Sequence, residues 1–343
     1  MTRPRKEVVD PDIVANYHCS TCCVRRAFLC GEDPLTGRSF SHRKGWVRDY
    51  LERLSQAFAF EVCTYSVLSN HYHLVLRARP DLAKQWSDLE VARRWRSIYG
   101  SQLRDTPEQE AAYQHSIVEL SRNSEKIATY RERLRTMGVM MGKLNQTISR
   151  WANKEDDCTG RFWGERYGCK LLKDEGATLA CMEYVDLNPV RAAQADSLRD
   201  SDYTGIQDRI LAAEAQLASP CADPWLESRR LEHCHRADWL VDISAADSPL
   251  PGLKLENYLW LTECTGQQVR ADKPGSLPHN AKVILEGYSL NPENWISSVD
   301  TFGESFHYMV GPWSEVKKRA RQVGKRWFWG KDANQSLYAS SKN

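Results

Sequence analysis

A chain of 343 residues, 41% of them hydrophobic and 27% charged, is long enough for two domains or one decorated domain, and no apolar run in it reaches membrane length. Forty-seven Lys and Arg against 45 Asp and Glu leave a formal charge of +2, so the total says little about partners and only local basic regions carry information. The basic start, Met1 to Glu7, runs into Asp10-Pro11-Asp12 instead of an apolar stretch, which gives no secretory signal and makes the cytoplasm the expected location.

The first element is a β-strand over about Ile13 to Leu29, rich in Val, Tyr, Thr and Cys and closed by the turn chemistry of Gly31 to Gly37. It holds His18, Cys19, Cys22 and Cys23. A zinc site there has no second C-x-x-C to complete it, and the eleven scattered cysteines read as packed thiols in a reducing compartment. Trp46, Val47, Tyr50, Leu51, Leu54 and Phe58 recur at helical spacing, predicting a helix over Arg43 to Ala59. Glu61 to Leu68 and His71 to Ala78 then read as two strands joined at Ser69-Asn70. From Pro80 to about Gly142 charge-rich helices form an insertion, with tryptophans, tyrosines and methionines as core anchors.

A helix over Lys143 to Lys154, a fourth strand over Arg161 to Leu172 and a helix over Ala177 to Leu187 complete the pattern. Asp174 and Glu175 suit that helix's N-terminus, and Pro189 is expected to end it near Asn188. The expected fold is α+β: a ferredoxin-like βαββαβ core, its antiparallel sheet carrying helices on one face, with a helical insertion over 80–142.

Two features could carry chemistry. In Ser69-Asn70-His71-Tyr72-His73-Leu74-Val75-Leu76 the two-residue repeat of a strand turns His71 and His73 to one face and Tyr72, Leu74 and Leu76 to the other. Two imidazoles so placed are half of a metal shell, although the same pair also suits an ordinary hairpin. In Tyr184-Val185-Asp186-Leu187-Asn188-Pro189-Val190-Arg191-Ala192, Tyr184 and Asn188 are four apart and share one helix face; a core tyrosine and a capping asparagine would look the same.

Taken together, Asn70-His71-Tyr72-His73-Leu74, then Gly160-Arg161-Phe162-Trp163 and Tyr167, then Tyr184 to Ala192, resemble the HUH single-tyrosine transposases, and most of all those associated with REP elements in bacteria. The resemblance covers residues 10–205. It implies a catalytic domain over residues 1–210 in which Tyr184 is the nucleophile, forming a 5′-phosphotyrosine and freeing a 3′-hydroxyl, while His71, His73 and Asn188 hold a divalent metal, Mg²⁺ or Mn²⁺. No nucleotide cofactor is implied. The implied partner is DNA, single-stranded or folded as a hairpin, met by Arg161, Arg166, Lys170 and Arg191; no membrane partner is expected, the expected location is cytoplasmic and nucleoid-associated, and the expected assembly is a monomer or a homodimer. A domesticated DNA-binding protein that keeps the fold without cleaving is the alternative, and a zinc hydrolase on His71 and His73 lacks a general base.

Residues 211–343 lie outside the resemblance and read as an accessory region. Its end, Ser314 to Asn343, sets eight Lys or Arg against two acids around Trp327-Phe328-Trp329, a mixture suited either to nucleic acid or to an amphipathic helix docking by its aromatics.

Overall fold

Alternating residues along the strands supply two different surfaces, and the architecture of the chain follows from how each is covered. The computed structural model describes residues 7–24, 30–32, 37–99, 104–270 and 276–339. Strands β1 (Ala15–Cys22), β2 (Phe60–Val67), β3 (His71–Ala78) and β4 (Gly168–Leu172) form a sheet in the order β2-β3-β1-β4, antiparallel at each of the three pairings. A fifth strand, β5 (Met309–Val310), adds to β4 in parallel, so the far C-terminal part of the chain completes the sheet. The expected continuation of the first strand over 25–29, and most of the turn after it (33–36), lie outside the described residues.

One face of the sheet is apolar. Tyr17 and Cys19 of β1 and Tyr72, Leu74 and Leu76 of β3 are buried there with Val47, Leu51 and Leu54 of helix α1 (Arg43–Ala57). Helices α2 (Pro80–Gln85), α3 (Asp88–Tyr99), α4 (Pro107–Ser121) and α5 (Ser124–Leu134) form the insertion, and α6 (Met137–Glu155) returns along the sheet. The predicted helix over Lys143 to Lys154 is the second half of α6. Its first two turns bring Met137, Met140 and Met141, assigned above to the insertion, onto this core.

Helix α7 (Glu175–Asp186) covers the opposite face, joined by α8 (Asn188–Arg191) and α9 (Gly205–Leu217). Asp174 caps α7, its carboxylate accepting from the Ala177 backbone N–H at 2.8 Å. From Gly176 to Asp186 every residue of α7 is buried, as expected of a helix apolar nearly all round and enclosed on all sides. What encloses it comes from residues beyond 210: α10 (Pro224–Cys234) lies against α9, while α11 (Leu255–Arg270), α12 (His279–Gly287), α13 (Trp295–Asp300) and α14 (Phe302–Ser305) bury Tyr258, Leu261, Leu285, Trp295 and Phe302 in one cluster with Leu179, Met182 and Val185. Helices α15 (Trp313–Gln322) and α16 (Lys331–Leu337) flank the β5 edge.

The chain is thus mixed α+β, with two corrections to the expected plan. Helices lie on both faces, because α7 and the helices after it need a second apolar surface that Cys63, Val75 and Leu172 provide. The fourth strand is also shorter than expected: Arg161 and Arg166 lie in the connection before β4, where residues 162–164 hydrogen-bond to the end of β1. Helix α7 ends at Asp186, close to where Pro189 was expected to end it, and Pro189 itself occupies the first turn of α8, where its missing N–H costs nothing. Among the described residues no helix is long and apolar enough to cross a membrane.

Candidate active site

The face of the sheet under α7 carries polar side chains from three strands. His73 of β3 stands opposite Ser20 of β1, and His18 of β1 stands opposite Val75 on one side and Lys170 of β4 on the other. His18 is therefore a diagonal neighbour of His73, close enough for side chains to meet. The rings stack with centroids 5.1 Å apart, and His18 Nε2 lies 2.9 Å from His73 Nδ1. His71 lies next along the strand, its ring 5.0 Å from that of His73 and its Nδ1 2.6 Å from Asn70 Oδ1.

All three imidazoles are held neutral. Burial pushes the pKa of His71 down; it pushes that of His73 well down, with His18, His71, Lys170 and Arg191 acting in the same sense, and that of His18 well down with help from Lys170.

Tyr184 reaches this face from α7. Its ring lies 5.4 Å from that of His73 and 5.9 Å from that of His18, both edge-on. The Arg191 guanidinium sits 5.0 Å from the centre of the tyrosine ring. Burial raises the pKa of the phenol and Arg191 opposes that rise. Two other carboxylates tie down the far side of α7. Glu183 accepts from the Thr262 hydroxyl of α11 at 2.9 Å, and Asp186 accepts from Tyr258 of α11 and Thr64 of β2. Desolvation raises the pKa of Asp186 to about 6. The two other tyrosines near the sequence motifs, Tyr72 and Tyr167, are buried in the apolar core of the opposite face.

A segment from the C-terminal part closes the site. Phe302 stacks on Tyr184 with centroids 5.3 Å apart and meets His18 edge-on at 6.0 Å. A Cβ added to Gly303 would lie 2.5 Å from the Tyr184 hydroxyl, so only a glycine allows the backbone this close. Lys170 Nζ donates to the carbonyls of Gly303 at 2.9 Å and Phe302 at 3.4 Å, and Arg191 Nε donates to the Asp300 carboxylate at 2.9 Å. Burial lowers the pKa of Lys170 to about 8. Of the four cations expected to meet DNA, Lys170 and Arg191 therefore belong to the site, while Arg161 and Arg166 are exposed on the connection before β4.

A metal fits part of this arrangement. The Nδ1 atoms of both His71 and His73 are engaged by neighbours, which orients each ring and directs ligation to Nε2. Asn188 is buried, and the orphan atom of its amide is Nδ2, a donor; a metal would take the amide oxygen Oδ1 instead. Among the described residues no three His, Cys, Asp or Glu side chains gather around a common point, so a site here depends on that amide. The zinc set considered around Cys19 does not converge: Cys19 lies in the apolar core against the Met137 sulfur at 3.6 Å, and His18 points to the other face.

Sequence reasoning missed His18, Phe302 and Gly303 as members of the site. His18 shares a strand face with Ser20, but nothing in the sequence shows that β1 lies beside β3. Phe302 and Gly303 are more than a hundred residues from Tyr184.

No family model matches the sequence and no curated protein matches it. Among solved structures, the REP-associated tyrosine transposase bound to a REP hairpin is similar with a TM-score of 0.32 and 11% identity, over 61% of this chain and 86% of that one.

Proposed function

We propose that this chain cleaves and rejoins single-stranded DNA through Tyr184, on a ferredoxin-like core of β1 to β4 with α1 and α6. The strand order β2-β3-β1-β4 and its antiparallel pairings support that view of the core. The observation that carries the reaction is the meeting of Tyr184 with His73 and His18, flanked by two cations that can bind phosphate, Lys170 and Arg191. The phenol oxygen attacks phosphorus, the bond to the 3′ oxygen breaks, the phenolic proton passes to solvent and the leaving 3′ oxygen takes one up from solvent to become a hydroxyl. Arg191 and Lys170 offset the charge that builds on the phosphate. His71, His73 and Asn188 would hold a divalent ion, Mg²⁺ or Mn²⁺, whose chemistry there is to polarise a non-bridging phosphate oxygen. His18 keeps His73 in one orientation. The 5′-phosphotyrosine remains open to attack by a DNA 3′-hydroxyl, so no nucleotide cofactor is needed.

A second reading has its own support. Tyr184 is only 8% exposed and α14 lies over its hydroxyl, so a phosphodiester reaches it only after that segment shifts. A protein that binds hairpins and never cuts them would need no such shift. Incubation with Mn²⁺ and end-labelled single-stranded hairpins, followed by denaturing electrophoresis and mass spectrometry of the adduct, separates the two. A DNA-linked peptide containing Tyr184 supports the transferase; retention without any covalent species over a wide set of hairpins supports the binder.

A further inference from the structure

The basic aromatic stretch near the C-terminus lies outside the site around Tyr184, and a buried ring holds it to the body of the chain. Between α15 and α16 the chain runs Trp327-Phe328-Trp329-Gly330. Phe328 is buried with its ring 5.4 Å from that of Tyr308, and it anchors the stretch. The tryptophans on either side point outward, 50% and 59% exposed, with ring centroids 4.9 Å apart. Gly330 holds φ at +97°, and a Cβ there would lie 3.1 Å from the Ser305 carbonyl. The loop therefore runs close against α14, the segment lying over Tyr184. Neighbouring exposed indoles held by a buried anchor are uncommon on a free surface and mark a place of contact.

The charge around the loop narrows the partner. Lys317, Lys318 and Arg321 on α15, with Arg326 and Lys331 beside the tryptophans, are exposed and form no ion pair among the described residues. Of the nearby acids, Glu315 lies 3.6 Å from Lys173. Two exposed indoles with the unpaired Arg326 and Lys331 next to them in the chain, and three more unpaired cations on the preceding helix, offer stacking faces and positive charge, which is what the bases and phosphates of a single strand require.

We propose that Trp327 and Trp329, with Arg326 and Lys331, form a binding surface for single-stranded nucleic acid that continues from the Tyr184 site across Ser305. Successive bases stack on the two indoles and the intervening phosphates meet the cations. The proposal rests on the DNA reading of the Tyr184 site only in saying which strand runs onward, because the surface can bind whether or not Tyr184 reacts.

The test uses the full chain with fluorescein-labelled oligo-dT of fifteen nucleotides and a fifteen-base-pair duplex, at two salt concentrations. Trp327→Ala with Trp329→Ala is expected to weaken oligo-dT binding at least about tenfold, as losing stacking on two rings implies, and to change duplex binding far less. Trp327→Phe with Trp329→Phe should restore much of the loss. Arg326→Gln with Lys331→Gln, which leaves the aromatics in place, should make the dependence on salt shallower by about two phosphate contacts. Unchanged oligo-dT affinity in the alanine pair together with an unchanged salt slope in the glutamine pair overturns the proposal. So does equal loss for duplex and single strand, or binding of phosphatidylserine vesicles in place of oligo-dT with the same dependence on the tryptophans. Covalent capture at Tyr184 is scored separately: loss of capture with tryptophan-dependent binding retained counts against the nucleophile alone.

Discussion

The two faces of one sheet show how different tasks are divided between alternate residues of the same strands. In β3, Tyr72, Leu74 and Leu76 join a core built with α1 and α6, while His71 and His73 between them stand beneath α7 with His18, Lys170 and Tyr184. On the apolar face, burial is the function, and its energy does not depend on the direction of any one group. On the other face, burial is a cost that acts on chemistry: it keeps the imidazoles neutral, raises the pKa of the Tyr184 phenol and lowers that of Lys170. A variant on the first face should lose stability and leave chemistry per folded molecule intact; a variant on the second should do the reverse.

The largest effect is expected from Tyr184→Phe, which removes one oxygen and keeps the ring that packs on Phe302. Covalent capture of DNA should vanish while the melting temperature stays near that of the parent. Normal turnover by this variant would remove the nucleophile from the polar face and with it the contrast. His71→Ala with His73→Ala should reduce cleavage by about a hundredfold or more, the scale of losing metal ligands or what supports them, and leave hairpin affinity nearly unchanged because phosphate contacts carry most of it. Full cleavage by that double variant would show that the histidines serve packing only.

On the opposite face, Leu51→Ala leaves a cavity at a fully buried position and should destabilise the chain by about 2–5 kcal/mol in urea unfolding. Below the transition its DNA affinity should match the parent. A specific loss of cleavage there would mean that the faces are coupled through the sheet.

Two smaller effects sharpen the comparison. Because Lys170 titrates at about 8 in the folded chain, its charge is present below that pH and is lost above it, so hairpin affinity should fall as pH rises through 8, and Lys170→Gln should remove that step. The sign for stability is opposite. Between about 8 and the usual lysine value the unfolded chain holds more protons at this site, so this group's contribution to stability rises with pH across that window. Asp300→Ala should release Arg191 and tighten DNA binding a few-fold, with stability changed by only about 0–1 kcal/mol, since the ion pair is partly exposed. Weaker binding would instead assign Asp300 a supporting role at the site.

What the sequence determined by itself is local. The two-residue alternation separated His71 and His73 from Tyr72, Leu74 and Leu76, the bounds of β3 were readable to the residue, and the helical register of Tyr184 and the acidic cap at Asp174 were visible from neighbours a few positions away. Those features depend on backbone geometry that repeats within a few residues. The tertiary structure alone decided that β1 lies beside β3, which brings His18 to His73, and that β4 lies beside β1, which brings Lys170 to the same face. It also decided that a second set of helices covers α7, and that Phe302 and Gly303 close over Tyr184. Such contacts join positions 55 to more than a hundred residues apart, and they are fixed by which buried surfaces fit together, a property that no window of sequence contains.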